Sequence, residues 1–219
     1  MTDRAPPARP DEPFPDYYNN LPGTLAHAWQ MIGRATQDRK CAFHTPVVST
    51  SSPSDGPQAR VMVLRRFDAD ARRMSFYSDL RSAKVPVLAL DPRVAVTFYD
   101  APRKIQLRVN GVVTVHAGDA LAHERWQASG ESSLRCYLGN APGIPSAEPT
   151  SGLPSALQAS IPSRAELAPG QQHFAVLEVD VQRLEWLYLH SRGQRRALYQ
   201  WQSGTVGQPG HWTKGWLNP

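Results

Sequence analysis

At 219 residues the chain is long enough to bury one substantial core and too short for two ordinary domains. Hydrophobic content of 41% and charged content of 20% describe a globular chain. Its net charge of +5 is dispersed, without the dense Lys/Arg runs that nucleic acid requires.

Two cysteines with no Cys-x-x-Cys spacing argue against a disulfide framework or a zinc site, so unpaired, buried thiols are expected. The seven histidines are scattered without ligand spacing, and no metal is assigned. No apolar run approaches the roughly 20 residues of a membrane span. The polar, Pro-rich start has no signal-peptide core, and a cytoplasmic location is expected.

In chain order, residues 1–22 are rich in proline and poor in core formers, and read as an extended or disordered arm before a single domain over 23–219. Thr24 is placed to N-cap a helix whose apolar positions Leu25, Ala28, Trp29 and Ile32 follow helical spacing. Residues 41–50 read as a strand and 51–58 as a turn. Residues 59–67 read as a buried strand that pairs with 73–78, and a short helix over 82–90 stops at Asp91-Pro92. Strands follow at 93–99 and 104–116, the latter with Gln106 and Arg108 opposite the aliphatic Ile105, Leu107 and Val109. Helices are expected at 118–128 and 132–138, then a long Pro-rich loop over 140–170 with a helical turn within it. Four more strands are expected at 173–181, 184–190, 195–202 and 212–216. Strands dominate without a β-α alternation or a Gly-rich dinucleotide fingerprint, which favours a mainly β, antiparallel barrel with peripheral helices over a Rossmann fold.

One stretch carries chemistry. Between Arg60 and Lys84 a strand end, the hydroxyls of Ser78 and Ser82, a helix start and two cations lie close together. Those groups suit a phosphate monoester, which needs fixed donors and positive charge. Taken alone, Arg60 and Lys84 also fit solvated surface charges.

The same stretch resembles the FMN-binding core of the pyridoxamine 5′-phosphate oxidase family, whose pattern runs Arg-x-Val-Leu-Leu-Lys, then Phe-Tyr-Thr-Asn, then Ser-Arg-Lys. Arg60, Val63, Leu64, Phe76, Tyr77, Ser82 and Lys84 match it, while Arg65, Ser78 and Ala83 stand for its Lys, Thr and Arg. The resemblance covers roughly 24–140 and 171–219, through Asp91–Tyr99, Gln106 before Gly111, then Trp186, Arg192 and Arg196. It implies a split β-barrel acting as a homodimer, with FMN at the subunit interface and a small-molecule substrate.

In that reading Arg60, Ser78, Ser82 and Lys84 hold the FMN phosphate. The chain from Val61 through Met62, Val63 and Leu64, with Arg65 and Tyr77 beside it, lines the flavin. Gln106 meets the ring's polar edge, and Trp186 and Arg196 close over it from the other subunit. Read without the resemblance, Trp186 fits a core residue, Arg196 a hairpin charge and Gln106 an exposed strand position. Substrate positions fall to Arg65, Ser132, Arg192 and Gln194. They depart from the family more than the flavin positions do. The helix around Arg125 lacks the expected Tyr and Arg, and the Arg-Leu-His-Asp-Arg signature reads Arg192-Gly193-Gln194-Arg195-Arg196. The resemblance thus implies an FMN-dependent oxidoreductase of a small, B6-like substrate. The alternative is a flavin-binding or flavin-reducing partner protein without pyridoxamine phosphate oxidase activity.

Overall fold

The computed structural model describes residues 14–191, 193–205 and 207–219 of the chain. Five α-helices are present among them: α1 (Leu21–Ala35), α2 (Lys84–Leu90), α3 (Ala120–Gln127), α4 (Glu131–Leu134) and α5 (Arg164–Leu167). Nine strands form one antiparallel sheet: β1 (Val47–Ser52), β2 (Gly56–Val61), β3 (Leu64–Asp68), β4 (Arg73–Asp79), β5 (Arg93–Asp100), β6 (Ile105–His116), β7 (Phe174–Tyr188), β8 (Arg195–Gln202) and β9 (His211–Leu217). None of the described helices is long and apolar enough to cross a membrane.

The hydrogen-bonded path runs β2-β1-β5-β6-β7-β4-β3, so its two ends are β2 and β3. These are consecutive in the chain, joined by Met62 and Val63 alone, so the sheet must curl until its ends meet. The result is a split β-barrel. The continuous strand expected over 59–67 is therefore two strands meeting at the seam. Neither is fully buried: β2 is an edge strand, and Val61 is 63% exposed.

Alternation defines the two faces. Along β5, Val94, Val96 and Phe98 point inward, and along β6 so do Ile105, Leu107 and Val109. Each large aliphatic or aromatic side chain buried this way contributes about 1.5–3 kcal/mol. The barrel core continues through Leu64, Met74, Phe76, Trp186 and Tyr199, and the inner side of α1 packs onto it through Ala28, Ile32 and Ala35.

The helix α1 starts earlier than its sequence suggests. Asn20, not Thr24, is the cap, accepting the Gly23 N–H at 3.3 Å. Thr24 is buried inside the first turn and donates its hydroxyl to the Tyr17 carbonyl at 2.5 Å. Residues Asp16–Asn19 form a 3₁₀ turn, so the segment just before α1 is folded where an extended arm is expected, and residues 1–13 of that arm lie outside the described residues. The first strand is Val47–Ser52, preceded by a 3₁₀ turn at Ala42–His44. Cys41 and Cys136 are free, and Cys136 is exposed rather than buried.

The two strands expected at 173–181 and 184–190 are one strand, β7, carrying a bulge. Asn110 pairs with Arg183 and Gly111 with Val181, which leaves Gln182 as the extra residue. A side chain at Gly111 would collide with the Asp180 carbonyl, so the close approach at this point requires glycine. On one edge, β7 pairs with β6 from Val176 to Tyr188. On the other, its first half pairs with β4 and its second half with β8. That division splits the outer face in two. One end is covered by α3–α5 over a second apolar cluster that includes Trp126, Tyr137, Leu167 and Phe174. At the other end, across β5, β6, β7 and β8, Tyr99 is exposed and Gln106 and Leu187 are half-buried.

The long 140–170 segment is pinned by two arginines. Arg135 donates to the carbonyls of Leu157, Gln158 and Ser160, the last at 3.1 Å. Arg164 donates to the carbonyls of Trp126, Gln127 and Ser129, at the end of α3. Helix α5 begins with a reciprocal Ser163/Glu166 cap.

Candidate functional site

Four of the residues expected at the phosphate converge at the seam. Ser78 ends the inward row of β4, Ser82 lies in the turn after it, and Lys84 is the first residue of α2. The Lys84 ammonium donates to Ser82 Oγ at 2.8 Å and Ser78 Oγ at 3.1 Å, and the two hydroxyls are themselves 3.1 Å apart. Arg60 reaches inward from β2, donating to Thr50 Oγ1 at 3.0 Å and the Val48 carbonyl at 3.2 Å.

The carboxylate in this neighbourhood, Asp79, is engaged elsewhere. Arg81 holds it by two bonds of 2.7 and 3.0 Å, which outweigh burial and keep its carboxyl below the usual range. Among the described residues, neither Arg60 nor Lys84 has a carboxylate within ion-pair distance. Burial, and then the charge of Arg60, push the Lys84 ammonium below its ordinary pKa. Burial does the same to Arg60. Two partly desolvated cations and two hydroxyls without a counter-charge form a donor set that fits a phosphate monoester dianion.

The 61–64 link divides by direction. Met62 and Leu64 point into the core, Val61 points out, and the Met62 N–H is already bonded to the Pro46 carbonyl at 3.0 Å. On the outer face, register places Tyr99, Gln106, Leu187 and Arg196 in one row across β5, β6, β7 and β8. Arg196 is held there by Glu185, through bonds of 2.6 and 3.0 Å to one carboxylate oxygen. Glu185 is 4% exposed and also meets Arg183 and Arg108. Burial works to raise its pKa, but the Arg196 and Arg183 hydrogen bonds prevail and hold it low.

Trp186 is not in that row. It is 0% exposed, pairs with Leu107 and Ala197 on the inner face, and packs between Tyr18 and Tyr188. With no surface of its own, its side chain cannot close over a partner's flavin. One residue along a strand reverses the face, so Leu187 is the residue turned outward at that point.

The expected substrate residues do not all meet. Arg65 and Ser132 line a cleft of about 1070 Å³ on the covered end of the outer face. Gln194 lies instead beside Asn19, Arg195 and Arg196 at the β8–β9 end, and Arg192 is outside the described residues. Reading the sequence missed several cleft residues: Arg125 of α3, Ser129 just past its end, His116 at the end of β6, and Glu178 of β7. The only available signal for them was the outward phase of β6 and β7, and it does not say which outward residues a helix will roof.

The chain is thus an antiparallel split barrel with a cluster of two cations and two hydroxyls at its seam. The chain belongs to the family described as pyridoxamine 5′-phosphate oxidase, whose model matches residues 35–187. The pyridoxine/pyridoxamine 5′-phosphate oxidase of Alkalilimnicola ehrlichii is 36% identical over 107 residues, 48% of this chain and 53% of that protein. That of Nitrobacter winogradskyi is 32% identical over 93 residues, 42% of each. The chain thus spans about half the length of the curated relatives it matches.

Among solved structures, a pyridoxamine 5′-phosphate oxidase-related, FMN-binding protein from Nostoc punctiforme superposes with a TM-score of 0.66 at 22% identity, covering 90% of this chain and 96% of that one. PhzG from Burkholderia lata, in complex with tetrahydrophenazine-1-carboxylic acid, superposes with a TM-score of 0.62 at 17% identity, covering 95% and 98%. At these identities the likeness is one of fold.

Proposed function

We propose that the protein is an FMN-dependent oxidoreductase that acts as a homodimer, with a small, B6-like anionic substrate taken into the cleft beside Arg65. The observation that carries the flavin is charge balance. Arg60 and Lys84 converge with Ser78 and Ser82 without a carboxylate to neutralise them, and a phosphate monoester brings nearly two negative charges. When bound, FMN supplies hydride acceptance and passes the electrons on to oxygen or another acceptor.

The chain's own residues bind, orient and exclude water. The Gln106 amide offers both a donor and an acceptor to a mixed polar edge. Val61 and Val63, the side chains of that link not buried in the core, keep water away from the ring. Arg65, the second residue of β3, lies over the Tyr77 ring at 5.4 Å, so the cleft has a cation beside the flavin-lining segment. The carboxylate ligand of PhzG, a relative in fold, supports a ring-borne oxyanion as the substrate class.

The homodimer is supported by the bare part of the outer face. Val47, Val61, Tyr99 and Leu217 are exposed there, and β2 is an uncovered edge strand; natural proteins rarely leave such features unprotected. A second copy covers them and brings Arg196 and Leu187 to the other subunit's flavin.

Heat release of the cofactor and its identification by mass is the first test, with FMN expected; FAD, or no flavin after reconstitution, would sink the reading. Mixing Lys84→Ala subunits with Arg196→Ala subunits should regenerate one intact site per heterodimer, and a monomer binding FMN at full affinity would refute the composite site. The alternative of a flavin carrier without pyridoxamine phosphate oxidase activity is favoured by α3, which presents Arg125 to the cleft and lacks the family's Tyr and Arg. Hydrogen peroxide release from pyridoxine and pyridoxamine 5′-phosphates separates the two.

A further inference from the structure

The cleft has two chemically different ends. At one, Arg65 lies over Tyr77 without a carboxylate at ion-pair distance among the described residues; Arg125, paired with Glu124, and Ser129 and Ser132 also line the cleft. At the other stands His116. Its Nδ1 lies 2.7 Å from Asp119 Oδ2, while Asp119 Oδ1 accepts the Ala122 N–H at 2.9 Å as the cap of α3. Asp119 is thus anchored by the helix it caps, and it fixes the imidazole.

The other ring nitrogen is free to work. His116 Nε2 is 4.0 Å from Glu178 Oε2, beyond hydrogen-bond distance, and Glu178 is engaged by Arg73 at 3.3 Å. An imidazole tied through Nδ1 to a carboxylate offers Nε2 as an acceptor when neutral and as a donor when protonated. Tyr77 and His116 both pair with Val176, so they sit on one face two strands apart, with Cα atoms about 10 Å from one another. That separation matches a ring compound carrying a charge at one end and a polar group at the other.

We propose that His116, oriented by Asp119, is a specificity-determining residue that hydrogen-bonds a second polar group on a ring compound whose oxyanion is held at Arg65. The proposal rests on reading the cleft as the substrate site, and phosphate and carboxylate share the chemistry it requires.

The test uses matched probes on flavin-loaded and flavin-free protein, with binding measured by calorimetry. Pyridoxine 5′-phosphate is compared with benzyl phosphate, and 4-hydroxybenzoate with benzoate; each pair shares its oxyanion and differs in the distal polar groups. Wild type should prefer the more polar member of at least one pair by about tenfold, the usual effect of one buried hydrogen bond. The pair that shows the preference identifies phosphate or carboxylate as the anion. His116→Ala should abolish that preference and leave the simpler probe's affinity unchanged. His116→Gln should restore part of it. Asp119→Asn, which still caps α3, should weaken it.

Equal loss of both members in His116→Ala would make the residue structural and overturn the proposal. So would a wild type without preference, or one that binds none of the probes. Flavin content, read separately by absorbance, reports on the oxidoreductase reading: a preference seen in protein that takes up no FMN would refute that reading and leave His116 its role.

Discussion

The seam cluster and the outer cleft both gather cations, but they differ in how the charges are arranged. At the seam, Arg60 and Lys84 meet only hydroxyls and carbonyls, and the nearby Asp79 is taken up by Arg81. In the cleft, acids and bases are interleaved. Arg73 meets Glu178, His116 meets Asp119 and Arg125 meets Glu124, while Arg39, Arg65 and Arg66 have no acid at ion-pair distance among the described residues. A site with unbalanced charge selects its ligand mostly by charge. A site whose charge is partly compensated selects by charge and also by where the remaining donors and acceptors sit. On this basis the seam suits one invariant group, a phosphate, and the cleft suits discrimination among ring compounds.

The largest expected effect is at the seam. Replacing Arg60 and Lys84 together by Ala should weaken FMN by about 3–6 kcal/mol, two charge-assisted hydrogen bonds, and hardly alter riboflavin, which has no phosphate. Equal losses for the two flavins, measured by fluorescence titration, would mean that the cations shape the barrel mouth rather than bind an anion.

A second substitution tests the bare part of the outer face. Glu185 is buried among three arginines, so Glu185→Gln should lower the unfolding free energy by about 3 kcal/mol at pH 7. Its carboxyl is held below its ordinary value, so this stability is present above about pH 4.5 and lost as pH falls through the lower folded value. Denaturation curves of wild type and variant should therefore converge in acid. A gap that stays constant with pH would assign the loss to packing.

Within the cleft, Arg125→Ala should cost about 2 kcal/mol in binding of pyridoxine 5′-phosphate and leave FMN affinity intact, because the two regions lie on opposite faces of β4. A parallel loss of FMN would break the separation between them.

The smallest effect is a pH dependence. Free Lys84 has a depressed pKa, so FMN affinity should fall as pH rises through that lowered value, before an ordinary lysine would titrate, by about tenfold per pH unit. Lys84→Gln should lack this alkaline limb, and a limb that survives the substitution would assign it to another group.

The seam cluster was legible in the sequence because its chemistry sits in one short stretch and its geometry is local. A strand, a turn and a helix start bring Ser78, Ser82 and Lys84 together whatever the rest of the chain does. The antiparallel, strand-dominated architecture was legible for a similar reason, since a period of two shows directly along β5 and β6. Tertiary structure decided what depends on phase and closure. Trp186 went into the core and Leu187 outward because the pairing of β7 sets which parity faces in, and an error of one residue inverts that assignment. The run over 59–67 divided in two because the sheet had to close on itself there, a demand made by all the other strands and carried by no residue in the run. The cleft required α3 to pack against β7, and the sharing of one cleft by Arg65, Arg125 and His116 follows from that packing, which no local pattern encodes.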